Sequence, residues 1–452
     1  MSRSTGLRTP RLDRGKLRGR EALLETPEWR ELLESLPVLR SFFAGDPGAH
    51  GITALLHGVS IYLERLFDSI DRGAPCVWYN LGFNPELVYA LGDAQPITIE
   101  MLGVMHNLLG NLDRSLAFID RAEAEGAPGD CCSADKLAAG AMHLGLYPSP
   151  ACTVGINTPC DAQVMGTQVM AELGRAPFFA VDVPYYHNEE TVRHVAAQLR
   201  LLVPFLEEHT RRRLDIDRLR EVCRLSNQMT ETLWEWLDWR KLVPLTQSSK
   251  LVAFTLVLQI LFTGTEEGLA IARGLLQEAR ERQERGERFF EERCRAIWYQ
   301  DPVWTDMQIY DWFERDLGLT VPVDVFGFYA HTTLIDTSSL DSMLEGLARK
   351  LVNCHPMARQ FRSDIDVYIQ DFLHLHEAWR ADCGIFAGHV ACKHAWGGIG
   401  LFKEACRRAG IPLLVFEFDM FDPRVTSYDD IFFQVERFVN EVVLPRKARG
   451  RG

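Results

Sequence analysis

Residues 131–161 read CCSADKLAAGAMHLGLYPSPACTVGINTPCD, and this stretch decides the fold that the sequence predicts. Residues 133–135 are suited to the start of a helix, and apolar residues follow at helical spacing until two prolines end it. Residues 151–157 form an apolar run of strand length, and a second helix is predicted after Cys160. The pattern is helix, buried strand, helix, with Cys132 and Cys160 directly before the two helices.

Cysteines at helix starts have a chemistry that cysteines in a core lack. A helix N-terminus carries a partial positive charge and unpaired amide donors, which stabilise thiolates and cluster sulfides. The pattern therefore favours ligation or redox work for Cys132 and Cys160. For any single one of the eleven cysteines, burial as a small apolar residue stays the alternative interpretation.

A third cysteine repeats this placement near the C-terminus, in the segment CGIFAGHVACKHAWGGIGLFKEACRRAGIPLLVFEF. Residues 384–390 are a predicted strand, and Cys392 lies in the turn before a predicted helix at residues 401–408. Ligands of open α/β sheets bind at the carboxyl ends of the strands. Two such units, each with a cysteine at that edge, could hold an iron–sulfur cluster between them.

Strand-like apolar runs alternate with helical segments in two parts of the chain. Predicted strands lie at residues 76–81, 96–101, 151–157 and 178–183, and again at residues 296–300, 321–329, 384–390 and 413–418. From His187 to about Phe290 the pattern is helical almost without interruption. The alternation predicts an α/β protein with two parallel-sheet units of Rossmann or flavodoxin type, joined by a helical segment. The predicted parts are a disordered basic arm at 1–20, an N-terminal helical region at 21–70, a first α/β unit at 71–190, bridging helices at 191–290 and a second α/β unit at 291–447.

Composition excludes several classes of protein. The net charge of −13 argues against non-specific binding of nucleic acid, which needs a basic surface. No apolar run has the length of a membrane helix, and the basic N-terminus lacks the apolar stretch of a secretory signal. We therefore expect a cytoplasmic protein without a membrane partner. In that reducing compartment, eleven cysteines point to metal, cluster or free thiols rather than disulfides.

Several segments together resemble one family. CSADK at Cys132, NTPCDAQ around Cys160 and ACKHAWG around Cys392 are similar to motifs of the 2-hydroxyacyl-CoA dehydratase and benzoyl-CoA reductase family, as are VDVPYY at residues 181–186 and VWYNLGFNPELVYALG at residues 77–92. The resemblance covers roughly residues 60–445. Each motif alone is weak, but the set is specific.

The resemblance implies a cofactor, partners and ligands. In that family each subunit of a heterodimer holds a 4Fe–4S cluster with three cysteines, and its fourth iron is open or carries a small ligand. The matching ligands here are Cys132, Cys160 and Cys392. Cys131 adjoins Cys132 and competes for the same role, whereas Cys152 reads as core. The family reduces a CoA thioester by one electron to a ketyl radical, and a separate iron–sulfur activator supplies that electron by hydrolysing ATP. The absence of a G-x-x-x-x-G-K-[ST] loop agrees with an ATPase on another chain.

Within the family, the sequence favours the benzoyl-CoA reductase branch, which reduces an aromatic acyl-CoA. Asn80 replaces a serine of many dehydratase subunits, and Phe326, Phe328 and Tyr329 could line an apolar pocket or simply fill a buried strand. One alternative is a 2-hydroxyacyl-CoA dehydratase subunit that forms an enoyl-CoA. A further alternative is a non-catalytic partner subunit that relays electrons.

Three other side chains are candidates for proton transfer. Glu100 lies near the end of the predicted strand at residues 96–101, close to where the dehydratases place an acid/base carboxylate, and its plain alternative is a strand-end carboxylate. His389 and His394 flank Cys392 and could donate protons or hydrogen bonds to a cluster. For both histidines the alternative is an ordinary surface position near a turn.

Overall fold

The computed structural model describes residues 25–34, 48–288, 290–327, 333–354, 358–361 and 364–449. The predicted arm at residues 1–20 and part of the 21–70 region lie outside these residues. Residues 27–34 are helical. The first half continues with α1 (His50–Asp71), β1 (Cys76–Tyr79), α2 (Glu86–Tyr89), β2 (Gln95–Thr98), α3 (Met101–Leu108), α4 (Leu112–Ala124), α5 (Ser133–His143), β3 (Cys152–Ile156), α6 (Asp161–Gly174) and β4 (Phe178–Val181).

Four long helices follow before the second set of strands begins. They are α7 (Glu189–Thr210), α8 (Ile216–Arg240), α9 (Lys250–Phe262) and α10 (Glu266–Glu284). The remaining elements are β5 (Cys294–Gln300), α11 (Ile309–Trp312) with a π-helical turn at Phe313–Leu317, β6 (Leu319–Thr320), α12 (Leu340–Asn353), α13 (Ala358–Phe361), α14 (Ile365–Ala378), β7 (Cys383–His389), α15 (Lys393–Gly397), α16 (Ile399–Arg408), β8 (Leu413–Phe418), α17 (Tyr428–Phe438) with a π-helical turn at Val439–Val443, and α18 (Leu444–Arg449).

The strands form two four-stranded parallel sheets in the order β2-β1-β3-β4 and β6-β5-β7-β8. The predicted α/β fold is therefore confirmed. Strands β1, β3, β5 and β7 are buried at every position, whereas the edge strands β4 and β8 are partly exposed. Strands covered on both faces have continuous apolar sequences, which is why these runs could be recognised. Seven of the predicted strands overlap observed strands, with ends that agree within three residues.

The predicted strand at residues 321–329 is wrong over the part of it that the structure describes. Only Leu319 and Thr320 pair as a strand, and beyond them a single bridge joins Asp324 to Trp298. The backbone groups of this segment bond to side chains instead of a neighbouring strand. Arg240 donates to the carbonyls of Val321 and Pro322, and the Asp324 carboxylate accepts from the Gly327 amide at 2.6 Å.

The helices between the two sheets are packed into the same core. Helix α10 packs against α1 and α8, and α12 packs against α7. Helix α9 is apolar around almost its whole circumference, with residues buried on all sides, as expected for a helix in the middle of a protein. No helix among the described residues is both long enough and apolar enough to cross a membrane.

A buried ion pair connects the first sheet region to the second. Lys350 on α12 contacts the Glu86 carboxylate on α2 at 2.8 Å and the Ser226 hydroxyl on α8 at 2.7 Å. Ser226 also donates to Glu86 at 3.1 Å. Glu86 is fully buried and Lys350 is 6% exposed, so each charge depends on the other for compensation.

We expect Lys350→Met to destabilise the protein by about 3–5 kcal/mol, because it leaves the Glu86 carboxylate buried without its cation. The double variant Glu86→Leu/Lys350→Met is expected to recover part of that loss. The control is Arg200→Ala, which breaks an exposed ion pair between Arg200 and Asp341 at 2.7 Å and should cost less than about 1 kcal/mol. Urea unfolding followed by tryptophan fluorescence measures all three, and equal losses for Lys350→Met and Arg200→Ala would contradict this account.

Candidate active site

Each of the three predicted cysteines occupies the N-cap position of a helix. Cys160 follows β3 and precedes α6, Cys392 follows β7 and precedes α15, and Cys132 precedes α5. Two of them therefore lie at the carboxyl ends of central strands, one in each sheet. The structure brings all three to the wall of one cavity of about 630 Å³.

Close backbone approaches fix the helices that carry two of these cysteines. At Gly140 on α5, an added Cβ would lie 1.8 Å from the Phe118 carbonyl oxygen of α4. At Gly82, in the loop after β1, an added Cβ would lie 1.8 Å from the Thr158 carbonyl oxygen, two residues before Cys160. Only glycine fits at either place, so both contacts hold the cysteine-bearing segments against their neighbours.

Burial dominates the electrostatics of the three thiols. It raises the pKa of Cys132 and Cys160 well above the usual value, and the nearby Asp135 carboxyl raises both further. Burial and then Asp301 raise the pKa of Cys392 to about 12. The thiols also oppose one another's ionisation, since Cys160 and Cys392 raise the pKa of Cys132, and Cys392 raises the pKa of Cys160. Protein groups alone therefore do not stabilise thiolates here, and a bound cationic group would have to do so.

Cys131 lines the same cavity but differs from Cys132. Both residues are half-buried, but the charged groups that act on the Cys131 thiol are Asp135, Lys136 and Asp130. The Cys132 thiol instead interacts with both Cys160 and Cys392. This geometry favours Cys132 over Cys131 as the partner of the other two cysteines. Cys152 is fully buried within β3.

Glu100 lies where β2 leads into α3 and lines the cavity. Its side chain is 3% exposed, and its two oxygens accept hydrogen bonds from the Thr98 hydroxyl at 2.5 Å and the Leu81 amide at 3.3 Å. Burial outweighs these bonds and raises the pKa of Glu100 from 4.5 to about 7. A carboxyl group with such a pKa can both accept and release a proton near neutral pH.

His389 ends β7 and is fully buried at the cavity wall. Its Nδ1 accepts from the Met420 amide at 3.4 Å and lies 3.8 Å from the Asp419 carboxylate. Because Nδ1 accepts from the Met420 amide, the ring hydrogen of the neutral tautomer lies on Nε2. This Nε2 has no hydrogen-bond partner among the described residues. Burial lowers the pKa of His389, so the neutral form is favoured.

His394 lies nearer the mouth of the cavity. Its Nε2 is 3.4 Å from the Tyr185 hydroxyl, which joins the segment after β4 to the segment after β7. Next to it, Lys393 forms an exposed ion pair with Asp130 at 3.1 Å. The predicted histidines thus occupy different depths, with His389 enclosed and His394 at the rim.

Two acidic residues of the site escaped the sequence analysis. Asp301, one residue after β5, lines the cavity, and burial followed by Asp419 raises its pKa to about 7. Asp135, in the first turn of α5, is also buried with a pKa raised to about 7, and it accepts from Gln163 at 3.3 Å. Both are ordinary carboxylates in the sequence. Only their burial beside the cysteines identifies them as residues of the site, and segments that are distant in the sequence bury them.

One of the two arguments for the reductase branch, the one from Asn80, loses its basis in the structure. The Asn80 amide donates to the Ile156 carbonyl at 2.9 Å and accepts from the Ile156 amide at 3.1 Å, so it joins the ends of β1 and β3. Asn80 does not line the cavity and carries no information about the substrate. Phe326 does line the cavity, but Phe328 and Tyr329 lie outside the described residues.

The donor set fits an iron–sulfur cluster. Cys132, Cys160 and Cys392, with Cys131 beside them, line one cavity as free thiols, and thiolates are the ligands that such clusters require. Within the described parts of the chain, no three His, Cys, Asp or Glu side chains are close enough to bind a single metal ion. The ligands of a cubane bind different irons, so they lie further apart than ligands of one ion.

The fold and the site define a class: an α/β enzyme subunit with a cysteine-lined cavity between two parallel sheets. A family model described as 2-hydroxyglutaryl-CoA dehydratase, D-component, matches residues 80–442. The (R)-phenyllactyl-CoA dehydratase alpha subunit of Clostridium sporogenes is 20% identical over 390 residues, which cover 83% of this chain and 91% of that subunit. The chain belongs to the 2-hydroxyglutaryl-CoA dehydratase D-component family.

Membership confirms the resemblance to the 2-hydroxyacyl-CoA dehydratase family and identifies the chain as a dehydratase-type enzyme subunit. The similar protein is itself described as the alpha subunit of its dehydratase. Both descriptions favour the dehydratase alternative over the reductase branch that the sequence analysis preferred.

The pKa of Glu100 predicts a pH-dependent contribution to stability. A carboxyl group whose pKa rises from 4.5 to about 7 on folding stabilises the protein below pH 4.5, and that contribution is lost as the pH rises through 7. Relative to the wild type, Glu100→Gln should therefore gain about 3 kcal/mol of stability between pH 5 and pH 8. Urea unfolding at both pH values measures this difference. Glu436→Gln, at an exposed position of α17, is the control and should show no gain. If the free energies of unfolding of the wild type and Glu100→Gln differed by the same amount at both pH values, the raised pKa of Glu100 would be contradicted.

Proposed function

We propose that this chain is a subunit of a 2-hydroxyacyl-CoA dehydratase and that Cys132, Cys160 and Cys392 hold a 4Fe–4S cluster in it. The observation that supports this most directly is the meeting of three N-cap cysteines, Glu100 and His389 on one cavity. The family and the phenyllactyl-CoA dehydratase relative supply the reaction. A homologous second subunit and an ATP-hydrolysing iron–sulfur activator, with ATP acting only through that activator, complete the proposed cytoplasmic system.

The reaction removes water from a 2-hydroxyacyl-CoA and leaves an enoyl-CoA. The bond from Cα to the hydroxyl oxygen and a C–H bond on Cβ both break, and the electron that starts the reaction is recovered at its end. When bound, the cluster supplies single electrons and a Lewis-acidic iron. The side chains of the cavity have to move protons and exclude water.

Glu100 is the proposed acceptor of the Cβ proton. Its burial excludes solvent from the carboxylate, and the Thr98 hydroxyl fixes the orientation of one oxygen at 2.5 Å. With a pKa of about 7, the carboxyl group is partly ionised at neutral pH, which is the condition for efficient proton transfer.

His389 is the proposed hydrogen-bond donor to the substrate. Contacts with Asp419 and the Met420 amide hold its Nδ1, so the Nε2–H of the neutral ring is the atom that remains for a bound thioester or hydroxyl group. Because the ring is fully buried, its orientation is fixed before a substrate arrives.

We expect Cys132→Ala, Cys160→Ala and Cys392→Ala each to lose most of the roughly four irons of the anaerobically reconstituted protein, together with its brown chromophore. Cys131→Ala is the matched control, since Cys131 adjoins Cys132 and lines the same cavity. It should keep its iron. Iron analysis and EPR spectroscopy check these outcomes. Full iron in Cys392→Ala, or loss only in Cys131→Ala, would contradict the ligand set.

The activity assay combines the protein with its partner subunit, the reduced activator and ATP under anaerobic conditions. Formation of an enoyl-CoA from a 2-hydroxyacyl-CoA is the expected result. Glu100→Gln should lower the rate by about 10²–10⁴-fold while the iron content stays at the wild-type value. Glu436→Gln should have the wild-type rate. Conversion of benzoyl-CoA to a dienoyl-CoA, with no dehydration of 2-hydroxyacyl esters, would restore the reductase alternative.

A further inference from the structure

The cavity has an extensive apolar wall away from its cysteines. Helix α9 contributes Leu256, Val257, Ile260 and Leu261, which its helical period places on one face. Phe326 adds an aromatic ring to the same cavity. These side chains leave the acyl part of a substrate few hydrogen-bonding partners in this part of the cavity.

Positive charge is scarce among the described lining residues. They include no arginine, and their one lysine, Lys393, is paired with Asp130 at the exposed rim. Of the two lining histidines, His389 lies 3.8 Å from the Asp419 carboxylate, and His394 lies at the rim near the Tyr185 hydroxyl. The interior instead carries the carboxyl groups of Glu100 and Asp301. Among the described lining residues, a second carboxylate on the substrate would meet the carboxyl groups of Glu100 and Asp301 and no buried cation.

We propose that this enzyme takes 2-hydroxyacyl-CoA esters whose acyl chain is apolar, branched or aromatic, and that it rejects dicarboxylic acyl chains. This inference rests on the proposed function and specifies its substrate class. Removing a carboxylate from water without a cationic partner is strongly unfavourable, whereas burying an apolar chain against α9 is favourable. The discrimination therefore arises from the cavity wall and not from the reacting carbons.

Binding of product analogues tests the proposal without turnover. Calorimetry on the complex with its partner subunit compares cinnamoyl-CoA, glutaconyl-CoA and free CoA as probes. We expect cinnamoyl-CoA to bind at least about 100-fold more tightly than glutaconyl-CoA. Val257→Lys places a cation in the wall and should reduce that ratio by at least about tenfold. Val203→Lys, the same change on a half-buried face of α7 outside the cavity, should leave the ratio unchanged.

The outcomes separate the two proposals. Equal or tighter binding of glutaconyl-CoA by the wild type would overturn the acyl preference and leave the dehydratase function standing. Binding of both esters no tighter than free CoA would overturn the dehydratase function, and the acyl preference with it. If Val257→Lys does not fold, Met165→Lys replaces it, because Met165 lines the cavity at a position that is 61% exposed.

Discussion

A hydrogen bond between Ser133 and Asp419 joins the two halves of the site. The Ser133 hydroxyl, one residue after Cys132, donates to the Asp419 carboxylate at 2.5 Å, and Asp419 directly follows β8. The same carboxylate accepts from the amides of Phe421 and Asp422 and faces His389. One buried group thus fixes a cysteine-bearing helix, a turn of the second sheet and a candidate proton donor. A cavity between two sheets keeps its shape only if such contacts hold its two sides in fixed positions.

Desolvation links the chemistry of the cavity to its architecture. Burial is the largest cause of the raised pKa of Cys132, Cys160 and Cys392, and equally of Glu100 and Asp301. Because these five groups are removed from water, each of them favours its neutral form. The positive charge of a bound cluster core would reverse this preference for the thiols that ligate it.

Local sequence patterns predicted the elements but not the contacts between distant segments. The buried strands were recognisable because both of their faces are covered, and the N-cap positions of Cys132, Cys160 and Cys392 followed from the turns before their helices. The segment after β6 was misassigned because its partners, Arg240 and Ser249, lie more than 70 residues earlier in the chain. Asn80 was misinterpreted for the same reason.

The apolar wall and the buried carboxyl groups have a single physical origin. Helix α9 lines the cavity with apolar side chains, and burial at the wall of the same cavity raises the pKa of Glu100 to about 7. A carboxylate at the acyl end of a substrate would lie near this carboxyl group as a like charge and would oppose its ionisation, whereas an apolar acyl chain would not. The proposed substrate preference and the proposed proton transfer are therefore coupled, because an acyl chain that fits the apolar wall leaves Glu100 able to ionise near pH 7.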